Sequence, residues 1–340
     1  MENLFNNKTK TDIFKQIQYD LLELQENADD EEINNIFEKI PPDFLNNKDD
    51  LMIICQLFAY YSRNNCRTKK GNVIKLLEKI IEPMKIHLQD ESSFFWFIFG
   101  GLFYFKLWLY EEGLISIEKI INATRQDDSL KVTEYFLPEI IEKETEIFEK
   151  EIKNKFEPIK YTKEYINEFK ELRKKHFKWL RNSGDFHDPS YLEIEKNPLR
   201  LSIKTDDIDQ FQRIISKTNM NINSIVDESV LENFNKSNKY NMSLISYSIE
   251  YNAIKIFKYL YLNDANFVQR DIFRVINQRN YDIIHIIESN IHDLFANDSF
   301  VCAVACWNEE IIEYSSTNYP LKFMAIDDSD EFDKTDEEDI

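Results

Sequence analysis

Three observations predict that this chain is an all-α protein. Apolar residues recur at the helical period along most of the 340 residues, in stripes of Ile, Leu and Phe bounded by Asn, Asp and Lys. Only 5 Gly and 8 Pro are present, which is few for a β-rich fold with its many turns. Apolar residues make up 43% of the chain and aromatic residues 14%, so most of it is expected to fold.

The N-terminal half, residues 1–182, is predicted to be a multi-helix array. A first helix carries apolar residues at helical spacing, namely Ile13, Ile17, Leu21 and Leu24. A second, largely buried helix begins near Leu51. A third stripe starts at Val73 and is expected to be interrupted at Pro83, because proline removes a helical hydrogen bond.

The segment Phe94–Phe105 is the most apolar part of the chain. Its continuous apolar run is about twelve residues long before Lys106, whereas a bilayer-spanning helix needs about 17 or more. We therefore expect no membrane span here but a helix buried on nearly all sides, with Gly100-Gly101 allowing a neighbour to approach closely. A membrane-associated adaptor that uses Phe94 to Tyr110 stays open as an alternative.

The C-terminal half is predicted to contain a linker, a second domain and a tail. A helix from about Tyr165 to Leu180 is followed by Gly184, which is typical of a helix end, so residues 183–189 are assigned as a linker. Residues 190–318 form the predicted second domain. The segment 327–340 carries nine Asp or Glu and one Lys, and it is predicted to be a disordered acidic tail.

Charge and cysteine content limit the partners and the location. The formal net charge of −20 argues against nucleic acid as a partner, because phosphate binding needs a basic face. The four cysteines have no Cys-x-x-Cys spacing, and the first residues, Met1 to Asp12, are rich in Asn and Lys rather than forming a signal peptide. We expect free thiols and a cytoplasmic protein.

The sequence lacks the motifs of the common catalytic chemistries. There is no phosphate-binding loop, no His-Glu-x-x-His and no Gly-x-Ser-x-Gly. The five histidines are scattered, and His285 is expected to be exposed. Asp206-Asp207 and Glu309-Glu310 fall at predicted helix starts, where carboxylates favourably meet the helix dipole. We therefore predict no enzymatic activity, no catalytic residue, no cofactor and no metal.

An enzyme or effector with an active site in the N-terminal helical half is the main alternative. A deep pocket with at least two convergent ionisable residues in that half is the feature that would favour it.

A pattern recurs across the last third of the chain. Residues 197–215 and 243–266 each combine a short helix with small or apolar inward positions, a tight polar turn and a second amphipathic helix. Two weaker copies follow. The second helices are predicted to begin at Ile208, Ile254, Tyr281 and Glu309. Such a unit cannot bury its apolar face alone, so the units are expected to stack.

These segments resemble ankyrin repeats. Pro198-Leu199 matches the Pro-Leu of the ankyrin consensus, and Asp264-Ala265-Asn266 stands in the closing loop. The region 197–316 resembles a divergent ankyrin-repeat family of uncharacterised function that is expanded in parasitic protists of the trichomonad type. The resemblance implies a C-terminal ankyrin-like stack of helix pairs, a helical solenoid that binds a protein.

The chain departs from the ankyrin consensus at the turns between paired helices. The consensus glycine is replaced by Asp206, Asn252, Arg279 and Trp307. Asn and Asp tolerate the left-handed backbone, but Arg and Trp do so poorly. The last two turns are therefore expected to differ in geometry from the consensus.

The predicted function is a non-enzymatic protein–protein interaction module or scaffold. In ankyrin-like arrays the loop tips and the exposed side of the first helices contact the partner. The residues predicted to do so here are Asn219, Asn221, Tyr247, Glu250, Asp264, Asn266 and Trp307. Tyr247 and Trp307 are the candidate anchors, because Tyr and Trp are enriched at interface hot spots. The partner is expected to be a protein with a neutral-to-basic surface and not nucleic acid, and no membrane span is expected.

Overall fold

The computed structural model describes residues 2–24, 28–64, 69–126, 131–153, 162–227, 229–232, 242–268, 270–290, 300–304 and 308–318. Within these ranges every regular element is helical, which confirms the predicted fold class. The single pairing of extended backbone there is an antiparallel bridge between Ile225 and Ser243. The chain divides into two compact units, Met1–Phe267 and Val268–Ile340. The acidic tail 327–340 lies outside the described residues, and the domain boundaries stay predictions.

The N-terminal part of the first unit is a series of packed helices. They are α1 (Glu2–Glu23), α2 (Asp30–Glu38), α3 (Pro42–Asn46), α4 (Lys48–Asn64), α5 (Lys69–His87), α6 (Ser92–Ile98), α7 (Phe103–Glu111), α8 (Ile117–Arg125), α9 (Lys131–Lys143), α10 (Thr145–Ile147), a π-helical turn (Phe148–Ile152) and α11 (Lys163–Asn182). Side-chain oxygens of Asp29, Ser116 and Thr162 accept backbone N–H bonds at the starts of α2, α8 and α11.

Helix α5 continues through Pro83 to His87, so the prediction that this proline interrupts the helix is wrong. The residue after the proline, Met84, is fully buried, and its carbonyl accepts a hydrogen bond from the N–H of Leu88. The free energy gained by burying this apolar face of α5 outweighs the loss of the hydrogen bond that the proline removes.

The aromatic segment forms two helices rather than one. Helix α6 ends at Ile98 and α7 begins at Phe103, with Gly100 between them in the left-handed region at φ 47°. Phe99 and Phe105 are buried and stack with ring centroids 4.9 Å apart, whereas Phe97 is 80% exposed. No helix in the described part of the chain is long and apolar enough to cross a bilayer.

Aromatic packing continues past α11 through the segment predicted as a linker. Phe186 is buried and lies 5.2 Å from the Trp179 ring and 4.8 Å from the Tyr191 ring, measured between centroids. Tyr191 belongs to a 3₁₀-helix, Pro189–Glu193. Residues 183–189 therefore contribute to the main hydrophobic core.

Two helix pairs complete the first unit. They are α12 (Pro198–Lys204) with α13 (Ile208–Thr218), and α14 (Leu244–Glu250) with α15 (Ile254–Leu262). The second helix of each pair begins at the predicted residue. Helix α12 packs on α14 and α13 packs on α15, so equivalent helices of the two pairs lie side by side.

The turn between α12 and α13 also caps the start of α15. Asp206 has φ 51°, and its carboxylate accepts the backbone N–H groups of Lys255 and Ile256, each at 3.1 Å. The neighbouring Asp207 caps its own helix through the N–H of Gln210. The predicted structural role of this carboxylate pair is confirmed, with Asp206 acting across the two pairs rather than within one.

The second unit contains α16 (Arg270–Gln278), α17 (Tyr281–Asn290), a helical stretch at 300–304 and α18 (Glu309–Asn318). The predicted starts at Tyr281 and Glu309 are confirmed. Asn280 and Asn308 occupy equivalent positions, and each side chain accepts an N–H bond three residues onward, from Ile283 and Ile311.

Arg279 has φ 53°, close to the values at Asp206 and Asn252. The prediction that the arginine turn departs from the geometry of the first two is therefore wrong, because the turn imposes a left-handed residue whatever its side chain. The corresponding Trp307 lies outside the described residues. His285 is exposed, as predicted.

Candidate functional site

Four of the seven predicted contact residues lie on two adjoining loops of the first unit. Helix α13 ends at Asn219, which is left-handed at φ 50°, and the Asn221 side chain then accepts the N–H of Asn223 at 2.8 Å. The Asn223 Oδ1 accepts the backbone N–H of Asn266 at 2.7 Å. This bond joins the loop after α13 to the loop after α15. We call Asn219, Asn221, Asn223, Ile225, Asp264 and Asn266 the loop-tip surface.

The loop-tip surface is open to solvent and rich in amides. Asn219, Asn221, Asp264 and Asn266 are all exposed. Asp264 has φ 60°, so its backbone needs a residue that tolerates the left-handed region. Two apolar side chains flank these polar groups, since Ile225 is 57% exposed and Leu262, at the end of α15, is 81% exposed.

Tyr247 is fully buried, which corrects its predicted role as an exposed anchor. Its ring packs 4.7 Å from that of Tyr251, and its hydroxyl donates a hydrogen bond to the Glu232 carboxylate. Burial of the ring and pairing of the hydroxyl together hold the Tyr247 side chain in the interior of the first unit. Glu250 is half-buried at the end of the same helix. Trp307, the other predicted anchor, lies outside the described residues.

A buried ionic cluster surrounds Tyr247. The Lys204 Nζ lies 2.7 Å from Glu195 Oε2 and pairs also with the Glu232 carboxylate. Arg200 forms a second ion pair with Glu195, at 2.8 Å. The cluster links α12, the segment before it and the residues that precede α14. Because its charges are matched and hydrogen-bonded, it is a structural feature of the helix pairs.

The protonation of the ionic cluster follows from its charges. Burial opposes ionisation of Glu195, but the neighbouring Lys204 and Arg200 hold its pKa below the ordinary value. Burial likewise opposes the charge on Lys204, but Tyr251 and the nearby carboxylates raise its pKa well above the ordinary value. Both groups therefore stay ionised at neutral pH.

A second concave feature lies in the N-terminal half, between α7, α9 and α11. We call it the α7–α9–α11 cleft, and its volume is about 690 Å³. Arg173 is buried in its wall and forms two hydrogen bonds with Glu139, of 2.9 and 2.6 Å. Burial and the Glu139 carboxylate raise the pKa of Glu111, which stands at the solvent-accessible edge. The pocket with convergent ionisable residues that would favour the alternative hypothesis is therefore present.

The lining of the α7–α9–α11 cleft combines ionisable and aromatic side chains. It contains no Ser, Thr, Cys or His, and its hydroxyl groups are those of Tyr104, Tyr110 and Tyr135. Among the described residues no cluster of three or more His, Cys, Asp or Glu is arranged to hold a metal ion. Cys55 is buried, and burial raises the pKa of its thiol.

Comparison with protein-family models, with characterised proteins and with solved structures finds no match to this chain. The site is therefore defined by its own geometry.

Several site residues were not predicted from the sequence. Asn223 was not predicted as a site residue because its role depends on a hydrogen bond to a residue 43 positions away. Ile225 and Leu262 resemble core residues until the packing is known. The α7–α9–α11 cleft had one visible signal, the regular spacing of Lys170, Lys174 and Lys178 along a single helix.

Proposed function

We propose that this protein is a non-enzymatic interaction module that binds a partner protein through the loop-tip surface. The observation that carries the proposal is the Asn266-to-Asn223 hydrogen bond, which holds two successive loop tips together as one exposed surface. A pre-ordered surface loses less conformational entropy on binding than two independent loops. In this proposal the helix pairs of residues 190–318 form an ankyrin-like stack in a cytoplasmic protein.

The chemistry of the loop-tip surface defines the partner. Exposed Asn side chains both donate and accept hydrogen bonds, so they suit a partner that presents backbone or amide groups. Asp264 and the nearby exposed Asp227 add negative charge, which favours a neutral-to-basic surface. Ile225 and Leu262 take the anchoring role first given to Tyr247, because they are the exposed apolar side chains beside the loops.

The proposal is tested by recovering a partner with the full chain, purifying that partner and titrating it against surface variants. A first variant combines Leu262→Ser with Ile225→Ser, which removes the apolar anchors. A second, Asp264→Asn, removes a charge while keeping a residue that tolerates the left-handed backbone. Both variants are first shown to have the melting temperature of the parent protein.

We expect the double serine variant to weaken binding by about tenfold or more, since interface anchors contribute roughly 1–2 kcal/mol each. Asp264→Asn should reduce the dependence of the affinity on salt. The matched control is Asn167→Ala with Glu168→Ala, an exposed amide and acid on α11, which should bind normally. A partner that binds the double serine variant as tightly as the parent would show that the loop-tip surface is not the interface.

A further inference from the structure

Two residues in the lining of the α7–α9–α11 cleft each carry a buried hydrogen-bond donor that has no partner in the described part of the chain. Tyr104 is 2% exposed and Arg173 is 3% exposed, and the unpaired atoms are the Tyr104 hydroxyl and the Arg173 Nε. Burial raises the pKa of Tyr104 well above its ordinary value, so the hydroxyl keeps its proton. An unpaired buried donor is unfavourable, and a ligand that supplies an acceptor relieves it.

The rim of the cleft is cationic. Four residues spaced four, four and three positions apart occupy one face of α11, namely Lys170, Lys174, Lys178 and Arg181. Three of them pair with carboxylates, Lys170 with Glu142, Lys174 with Glu171 and Arg181 with Glu78. Lys178 and, on α9, the exposed Lys143 form no ion pair within the described residues.

The charge balance of the lining is opposite to that of the whole chain. Six cationic side chains, those of the α11 row together with Arg173 and Lys143, face three carboxylates, Glu111, Glu139 and Glu142. The formal net charge of the protein is −20. Glu171 and Glu78, which pair with Lys174 and Arg181 from outside the lining, reduce this excess to one positive charge. A positive site in so acidic a protein favours an anion at this position.

The walls of the cleft are apolar and aromatic. They include Leu107, Trp108, Tyr110 and Phe177, in addition to Tyr104 and Tyr135. The volume of about 690 Å³ is in the range of pockets that enclose a small organic molecule. A flat apolar body fits between such walls, since aromatic rings pack well against one another.

We propose that the α7–α9–α11 cleft binds a small organic anion with a flat, apolar body. The acceptor atoms of the ligand face the Tyr104 hydroxyl and the Arg173 Nε, the body packs on Trp108 and Phe177, and Lys143 and Lys178 balance the charge. The loop-tip surface contributes none of these residues, so this site is independent of the proposed partner-binding function. Arg173 keeps its pairing with Glu139 throughout and acts as a donor to the ligand.

The test uses naphthalene-2-carboxylate as the probe and the full chain as the receptor. Binding is followed by calorimetry and by tryptophan fluorescence, to which Trp108 in the cleft lining contributes. The uncharged 2-naphthamide and the cationic 2-naphthylmethylamine have the same ring system with a different polar group, and 2-naphthyl phosphate distinguishes a phosphate from a carboxylate ligand. We expect the two anions to bind saturably, and the amide and the amine to bind at least about tenfold more weakly.

Two variants report on the assigned contacts. Tyr104→Phe removes one unpaired hydroxyl, so we expect it to fold at least as stably as the parent and to bind the anion about five- to tenfold more weakly. Lys178→Ala should weaken binding by about two- to fivefold. The matched control is Lys175→Ala, since Lys175 is exposed on the same helix but does not line the cleft.

The proposal is overturned by any of three results. These are the absence of saturable binding of every probe at low millimolar concentration, equal affinity for the carboxylate and the amide, and unchanged affinity in both Tyr104→Phe and Lys178→Ala. Tighter binding of the amine than of the carboxylate would assign the cleft to a cation through Glu111 and the aromatic walls, and would equally reject it.

Discussion

At the level of single residues, Lys204 is the side chain on which the buried polar network of the helix pairs depends. It is 1% exposed, it pairs with Glu195 and Glu232, and its Nζ donates to the Tyr191 hydroxyl at 2.9 Å. The Glu232 carboxylate in turn holds the hydroxyl of Tyr247. The burial of Tyr247 is therefore a consequence of charge pairing as much as of its apolar ring.

Replacing Lys204 by Ala should destabilise the protein by about 3–5 kcal/mol, because Glu195 and Glu232 would remain buried with less compensation. The free energy of unfolding is measured by urea denaturation. Lys258→Ala, an exposed lysine on α15, serves as the control and should change it by less than about 0.5 kcal/mol.

Adding Glu232→Gln to Lys204→Ala should recover part of the lost stability, since the double variant leaves one unpaired buried carboxylate fewer than Lys204→Ala alone. Equal unfolding free energies for Lys204→Ala and Lys258→Ala would contradict the structural role of the cluster.

At the level of elements, the starts of the second helices were predictable from the sequence, at Ile208, Ile254, Tyr281 and Glu309. Each lies one or two residues after a polar turn and opens an amphipathic stripe, both of which are local signals. The left-handed backbone at Arg279 was not predictable, because it is set by the turn and not by the preference of the side chain. The break of the aromatic segment at Gly100 was not predictable either, because the run of apolar residues continues across it.

Leu260 and Leu262 give a matched pair for testing the packing of α15. Leu260 is fully buried, as are Ile256 and Phe257, whereas Leu262 is 81% exposed. Leu260→Ala should lower the free energy of unfolding by about 2–5 kcal/mol, and Leu262→Ala by less than about 0.5 kcal/mol. Thermal and urea denaturation both measure the difference. Similar losses for the two variants would mean that the faces of α15 are assigned the wrong way round.

At the level of the whole molecule, charge is distributed unevenly, and the sequence shows this along the chain but not in space. The prediction that nucleic acid is not a partner followed from a net charge of −20, and that sum does not show that the α7–α9–α11 cleft gathers six cations in one lining. More than half of that lining comes from α7 and α9, and their approach to α11 is a tertiary contact that no local pattern encodes. The loop-tip amides, in contrast, were predictable because they follow directly from helix ends.

We expect acid to destabilise the first unit. Several of its carboxyl groups have a pKa lowered by hydrogen bonds and by nearby cations, among them Asp30, Glu142, Asp188, Glu193 and Glu195. A carboxyl whose pKa is lower in the folded state stabilises the fold above its unfolded pKa, and this contribution disappears as the pH falls through the folded value. Glu111, whose pKa is raised, acts in the opposite direction but is a single group.

We therefore expect the free energy of unfolding to fall between about pH 5 and pH 3, with Glu195 a major contributor because it is the buried member of the set. Glu195→Gln should be less stable than the parent protein at about pH 7 and should lose less stability on acidification, since the variant has no proton to gain at this position. Urea denaturation at several pH values measures both slopes. Parallel slopes for the two proteins would show that the buried Glu195 pairs do not set the acid response, and would assign it instead to the exposed ion pairs along α2, α9 and the 3₁₀-helix.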